Sequence, residues 1–335
     1  MRHFILTLAL IMAATCCPAR THKALKRQPV RLILDTDIGA DYDDVGAMAV
    51  MHALADSGEV RILATVASNK DARVVPVIEA INAHYGRGDI AVGAPSGYFA
   101  PSITTWLHRT DWPGYISSHF AHPTDSTSLA PSAVDVYRKV LSKQKDGSVV
   151  VCSIGFFSNL KALLESGPDR WSKLSGEELV RRKVCLLVSM AGGFPRGYEF
   201  NVIKDAAAAR AVAERWPTRI IFSGFEIGKN IFTGNAVCDM PGDASSNPVK
   251  KAYQLALSED DRPNGRESWD QTAVLVAIRG YLPWFGLRRG RLIIDEKGNN
   301  AWVGSADGPH AYLVAAVPYT RIAADIERLM THQHR

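Results

Sequence analysis

Five carboxylates fall within ten residues, directly after the first apolar run that could start a fold. The run is Val30–Leu34, apolar apart from Arg31, and it leads into Asp35-Thr36-Asp37-Ile38-Gly39-Ala40-Asp41-Tyr42-Asp43-Asp44. A short apolar run of this kind is the pattern of a strand buried on both faces, as in a parallel sheet covered by helices. The acids therefore sit between the C-terminal end of that strand and an apolar helix expected over Val45–Ala55. Open α/β sheets bind their ligands at that rim.

The alternation continues along the chain. Further strands are expected at Ile62–Ala67, Ser148–Ser153, Val184–Met190, Arg219–Phe222, Leu292–Ile294 and Tyr312–Val317. Helices are expected at Val74–Tyr85, Asn159–Leu164, Ala206–Trp216, Thr272–Ile278 and near Arg321–Met330. Pro76 is tolerated in a first helical turn, and Asp205 can cap the helix that follows it. Strands alternating with helices imply a mostly parallel central sheet flanked by helices, a Rossmann-like α/β fold. No composition break divides the 335-residue chain after Val30, so one large domain over 30–333 is expected rather than two. The stretch 95–130, rich in Pro, Ser, His and aromatic residues, is too long for a plain connection and suggests a functional or lid-like insertion.

Residues 1–19 carry a different message. Arg2 and His3 precede the apolar run Phe4–Ala14, and Thr15-Cys16-Cys17-Pro18-Ala19 follows. This is the layout of a secretory signal peptide, and the run is shorter than the ~20 residues that cross a bilayer. Export to the periplasm or the exterior is expected. A lipid anchor on Cys16 ranks below it, because Ala13-Ala14-Thr15 is a poor context for lipidation. Residues 20–29 are polar and basic and read as a flexible tether. No other segment suggests an integral membrane span. The net charge of +5 is mild, and no basic cluster exceeds pairs such as Arg181–Arg182, so nothing points to nucleic acid. Five cysteines, two of them in the signal, cannot form a disulfide scaffold; Cys152, Cys185 and Cys238 allow at most one bridge.

The acids demand compensation by water, hydrogen bonds or a cation. An all-oxygen set suits a hard cation; calcium accepts ~6–8 oxygens, whereas magnesium demands a tighter octahedron. Asp43 and Asp44 would also favour a helix N-terminus, worth ~0.3–1 kcal/mol each, but Asp35 and Asp37 precede the helix. An EF-hand loop beginning at Asp35 needs Gly sixth and Glu twelfth, where the chain has Ala40 and Gly46. A metal-dependent phosphatase of the haloacid-dehalogenase type, with Asp35 as nucleophile, is the runner-up. Its Asp-x-Asp is present, but Ile38-Gly39 departs from the usual sequel and Asp43-Asp44 has no part in it.

The segment resembles the signature of the inosine–uridine-preferring nucleoside hydrolases, which read Asp-Thr/Cys-Asp-Pro-Gly-x-Asp-Asp before an apolar helix. This chain has Ile38 for Pro and two extra residues before the Asp pair. The helix start Val45-Gly46-Ala47-Met48 aligns the pair with Asp43-Asp44 and makes Asp41 an addition, able to take over one of their roles. Four more segments resemble the family in the same order. They are Thr65–Asn69 with Asn82-Ala83, Ser153–Leu160, Met190–Phe194 with Glu199-Phe200-Asn201-Val202 and Asp205, and Trp269–Ala273.

The resemblance implies a nucleoside hydrolase fold and calcium-dependent cleavage of the N-glycosidic bond of ribonucleosides or related ribosides. It makes Asp37 the general base and assigns calcium (Ca2+) to Asp37, Asp44, Asp270 and the backbone carbonyl of Ile154. It assigns the ribose hydroxyls to Asp43, Asn69, Glu199, Asn201 and Asp270. Relatives are commonly dimers or tetramers, so it also implies a homodimer or homotetramer. The departures concern the base. Members often carry His before the late Asp; here Trp269 stands there, able to stack on a planar ring but unable to donate a proton. The segment between Phe194 and Glu199 is also short. His108, His119 and His122 in the 95–130 insertion are candidate acids without an assigned role. Without such an acid, an exported riboside-binding protein that does not turn over is the third reading.

Overall fold

The computed structural model describes residues 28–39, 41–97, 100–103, 110–260 and 262–334. The expected signal at 1–19 and all but the last two residues of the tether lie outside the described residues. In chain order the strands are β1 (Val30–Thr36), β2 (Val60–Ala67), β3 (Ala91–Gly93), β4 (Val149–Ser153), β5 (Val184–Met190), β6 (Arg196–Gly197), β7 (Arg219–Ser223), β8 (Phe232–Thr233), β9 (Arg266–Glu267), β10 (Phe285–Ile294), β11 (Asn300–Gly304) and β12 (His310–Ala315). Ten of them form one sheet in the order β3-β2-β1-β4-β5-β7-β12-β10-β11-β6, and β8 pairs with β9 apart from it.

The strands from β3 to β12 in that order are parallel, and β10, β11 and β6 extend the sheet antiparallel. The expected Rossmann-like, mostly parallel α/β domain is present. Its chain runs outward through β1, β2 and β3, then returns to start again with β4 on the other side of β1. The C-terminal ends of β1 and β4 therefore flank the topological switch point, the usual ligand crevice of such sheets.

Side-chain alternation explains why β1 is central. Leu32 and Leu34 enter one apolar cluster and Ile33 enters the other, so both faces of the strand are covered. The helices Asp43–Asp56, Val74–His84, Trp269–Arg279 and Tyr319–Met330 contribute to the first cluster. Ala133–Ser142, Ser158–Glu165, Gly176–Lys183 and Ala206–Arg215 contribute to the second. The Asp43–Asp56 helix is buried from Asp43 to Leu54, as expected of a helix apolar on all sides. Burial of that helix carries two acids into the interior.

Three differences from the sequence reading have local causes. β10 begins at Phe285, seven residues before the expected start, because it is a one-sided antiparallel strand whose exposed positions include Arg288 and Arg289. Asp205 sits at the N-cap of Ala206–Arg215 but makes no side-chain cap bond; its buried carboxyl faces the start of the Ser158–Glu165 helix instead. The described part of the 95–130 insertion is anchored. Trp112 and Ile116 of the Trp112–His119 helix are buried in the core, and the Thr127 hydroxyl accepts from Val75 N–H at 3.0 Å, serving the start of Val74–His84. Residues 98–99 and 104–109 of the insertion lie outside the described residues. Cys152, Cys185 and Cys238 are all unpaired, so the one possible bridge is not formed. No helix among the described residues is long and apolar enough to cross a membrane.

The two strand ends at the switch point approach closely through Gly155, just after β4. A Cβ there would lie 2.4 Å from the Asp37 nitrogen and 2.5 Å from Ser68 Oγ. Gly155→Ala is expected to push the ends apart at a cost of about 1–3 kcal/mol, the range of overpacked sites. A lower urea midpoint checks this; an unchanged midpoint contradicts the close approach.

Candidate active site

Asp35 and Asp37, at the end of β1, meet different surroundings. Asp35 turns into the fold, where its carboxylate accepts from the Tyr137 hydroxyl at 2.9 Å and from Asn159 Nδ2 at 3.2 and 3.3 Å. Burial pushes its pKa up to about 7 against those donors. Asp35 does not line the cavity at the switch point, so it is not placed to attack a phosphoester there. Asp37 does line it.

Gly39, at φ +106°, turns the chain in a conformation that glycine adopts readily, and the following acids come back over the strand end. The Thr36 hydroxyl accepts from Ile38 N–H at 3.2 Å and donates to Asp44, tying strand end to helix start. The Trp269–Arg279 helix brings in Asp270, whose N–H donates to Asp43 Oδ2 at 3.2 Å. Carboxylate oxygens of Asp43, Asp44 and Asp270 thereby converge within 4.8 Å of one another. Asp37 and Ile154 face the same cavity of about 320 Å³. Asp41 lines the cavity too but is not one of the three converging acids; it pairs with Arg266.

The electrostatics of this arrangement are adverse. Burial, followed by repulsion from neighbouring carboxylates, holds Asp37, Asp43, Asp44 and Asp270 well above the usual carboxylate range. Six carboxylates and two guanidiniums line the cavity among the described residues. The donors are all oxygen, and their charge exceeds what the arginines offset, so the set fits a hard divalent cation.

Glu199 and Asn201 form the facing wall. The Glu199 carboxylate accepts from the N–H groups of Asn201 at 2.8 Å, Val202 at 3.2 Å and Gly192 at 3.2 Å. Burial nevertheless raises its pKa to about 7. Asn201 Nδ2 donates to the carbonyls of Ile154 at 3.3 Å and Met190 at 3.2 Å, which orients the Ile154 oxygen. Asn69 does not line the cavity. Its side chain accepts from Ile103 N–H at 2.9 Å and donates to the Ile103 and Asp37 carbonyls, so it ties the insertion to the strand end.

Of the remaining wall, Arg262, Arg266 and Phe225 were not visible in the sequence. Arg266 on β9 reaches Asp41, 225 residues earlier, with Nε 3.0 Å from Oδ1. Nothing in the local pattern around Arg266 distinguishes it from a surface residue. Arg262, Phe200, Phe225 and Met190 line the cavity as well. Trp269 is there as expected, but its ring is already engaged by Phe225, with centroids 5.5 Å apart, and by the Arg266 guanidinium at 5.2 Å. Its Nε1 donates to the Phe225 carbonyl at 2.8 Å. Stacking of a ligand ring on Trp269 therefore competes with contacts inside the protein. His119 stacks on Tyr115, and His122 bonds the carbonyls of Thr124 and Ser117; neither lines the cavity. His108 lies outside the described residues.

The sequence profile of the inosine-uridine preferring nucleoside hydrolases matches residues 32–324. Among solved structures, the fold is similar to a plant nucleoside hydrolase, with TM-score 0.64 and 18% identity over 90% of this chain and 99% of that one. A purine-preferring ribonucleoside hydrolase from Gardnerella vaginalis gives TM-score 0.65 and 18% identity over 90% and 98%. An inosine-uridine preferring nucleoside hydrolase from Bacillus anthracis gives 0.66 and 14% over 90% and 99%. No curated protein matches the sequence significantly.

The raised carboxyls fix a sign for the effect of pH. With no cation bound, Asp35 and Glu199 hold protons up to about pH 7 that the unfolded chain has already released, so stability falls as pH rises toward 7. The Tm of chelator-treated protein should drop between about pH 5 and pH 7, and excess divalent cation should restore it at pH 7 by binding the folded state. A Tm that rises over that interval, or that ignores the cation, contradicts this electrostatic picture.

Proposed function

The chain belongs to the inosine–uridine-preferring nucleoside hydrolase family, and from that membership we propose that it is a calcium-dependent hydrolase of the N-glycosidic bond of ribonucleosides or related ribosides. The observation that carries the proposal is one cavity shared by a buried Asp37, three converging carboxylates and the Glu199–Asn201 wall. Asp37, Asp44, Asp270 and the Ile154 carbonyl would hold the ion, and Asp43 is close enough to join them. When bound, such an ion supplies Lewis acidity toward water and hydroxyl oxygens.

The residues of the chain account for the rest of the chemistry. Breaking a ribosyl–base bond passes through an oxocarbenium-like state and needs a water delivered to the anomeric carbon. Asp37 takes the proton of that water. Burial and the neighbouring carboxylates disfavour its charge, so a bound cation would keep it ionised and able to accept that proton. Asp43, Asp270, Glu199 and Asn201 grip the ribose hydroxyls. Glu199 is fixed by three backbone donors, so its oxygens need little reordering when a sugar arrives. Asn69 acts one step removed, through the Asp37 carbonyl that it holds. The signal-like residues 1–19 support an exported enzyme.

The absence of a histidine from the described cavity lining favours a second reading, an exported riboside-binding protein without turnover. Incubating the protein with a panel of nucleosides and other ribosides, with and without calcium, separates the two. Hydrolysis releases free ribose only with calcium, whereas tight binding in calorimetry with no ribose released favours the second reading. Asp37→Ala should lower kcat by about 10²–10⁴-fold with an unchanged circular dichroism spectrum. Near-normal turnover in a folded Asp37→Ala variant sinks the role given to Asp37.

A further inference from the structure

Among the described residues that line the cavity away from the ion and sugar groups, none is suited to giving up a proton near neutrality. Once the sugar-facing groups are set aside, the described lining consists of Asp41, Met190, Phe200, Phe225, Trp269 and the two arginines at 262 and 266. Asp41 is committed to Arg266. Arg266 is the most firmly placed of the cationic groups. Its side chain is 5% exposed, with Nε 3.0 Å from Asp41 Oδ1, Nη2 on the other Asp41 oxygen and Nη1 3.2 Å from the Glu267 carboxylate. Its guanidinium carbon lies 5.2 Å from the centre of the Trp269 ring and 5.5 Å from that of Tyr42. A guanidinium has five N–H groups, and these pairings occupy three.

We propose that Arg266 receives the departing aglycone, an inference that rests on the hydrolase reading above. As the C1′–N bond breaks, its electron pair stays on the aglycone nitrogen, and the developing anion accepts hydrogen bonds from the remaining Arg266 N–H groups. The water oxygen forms the new bond to C1′ and its proton passes to Asp37. Arginine keeps its own proton, because its pKa lies above 12. The aglycone leaves as an anion and is protonated by solvent; Asp37 returns its proton to solvent, so water and riboside become ribose and neutral aglycone. Asp41 is then a positioning residue that holds the guanidinium fork.

The test compares leaving groups in the full-length, calcium-loaded protein. The best nucleoside of the panel needs help at its leaving group; 4-nitrophenyl riboside, with an acidic phenol to release, does not. Arg266→Gln is expected to lower kcat about 100-fold on the nucleoside, in line with loss of a donor to a developing anion, and less than about threefold on 4-nitrophenyl riboside. Equal losses on both substrates overturn the proposal, as does a selective loss in His108→Ala with none in Arg266→Gln. Should Arg266→Gln fail to fold, Arg266→Lys, which keeps the charge but not the fork, carries the same comparison. Wild-type protein that hydrolyses neither substrate overturns the parent reading and this one together. Wild-type activity on both with equal Arg266→Gln losses overturns this one alone.

Discussion

Asp37, Asp43, Asp44 and Asp270 are held together in the interior against their mutual repulsion. Two like charges 4 Å apart at an effective dielectric of 20 repel by about 4 kcal/mol. The nearest compensation within the protein is smaller. Asp43, Asp44 and Asp270 lie in first helical turns, worth about 0.3–1 kcal/mol each, and Thr36 and the Asp270 N–H add single hydrogen bonds. Arg266 helps Asp43 but is already shared with Asp41. These magnitudes favour either protonated acids or a bound divalent cation. The fold pins their positions through β1, the buried Asp43–Asp56 helix and the Trp269–Arg279 helix.

From that constraint the cavity divides by chemistry. One side is oxygen-rich, with carboxylates, the Ile154 carbonyl and the backbone-fixed Glu199, and it suits an ion and a diol-bearing sugar. The other side is aromatic and cationic, with Phe200, Phe225, Trp269 and two arginines. The Asp41–Arg266 pair joins the two sides. The residue that interrupts the family's acid spacing is thus also the one that anchors the guanidinium. Sequence departures that looked like a weakened signature coincide with this aromatic and cationic side.

Legibility in the sequence followed the range of the contacts. The switch point was readable because a buried strand and its acids are consecutive residues, and because the helix that buries Asp43 and Asp44 starts where they end. Asp37, Asp43, Asp44, Ile154, Glu199, Asn201, Trp269 and Asp270 all reach one cavity. Asn69 was placed in the right neighbourhood, yet its amide faces Ile103, a partner in an irregular segment that no periodicity marks. Arg266 was invisible for the same reason: its partner lies 225 residues away, and a lone Arg-Glu step reads as surface. The long start of β10 was hidden because a one-sided antiparallel strand tolerates the exposed Arg288 and Arg289.

Calorimetric titration of calcium into chelator-treated protein at pH 7 tests most directly whether the buried acids form an ion site. The account predicts one ion per chain, with affinity lowered by about tenfold or more in Asp44→Asn and in Asp270→Asn. An absence of binding, or binding that neither substitution disturbs, would contradict it.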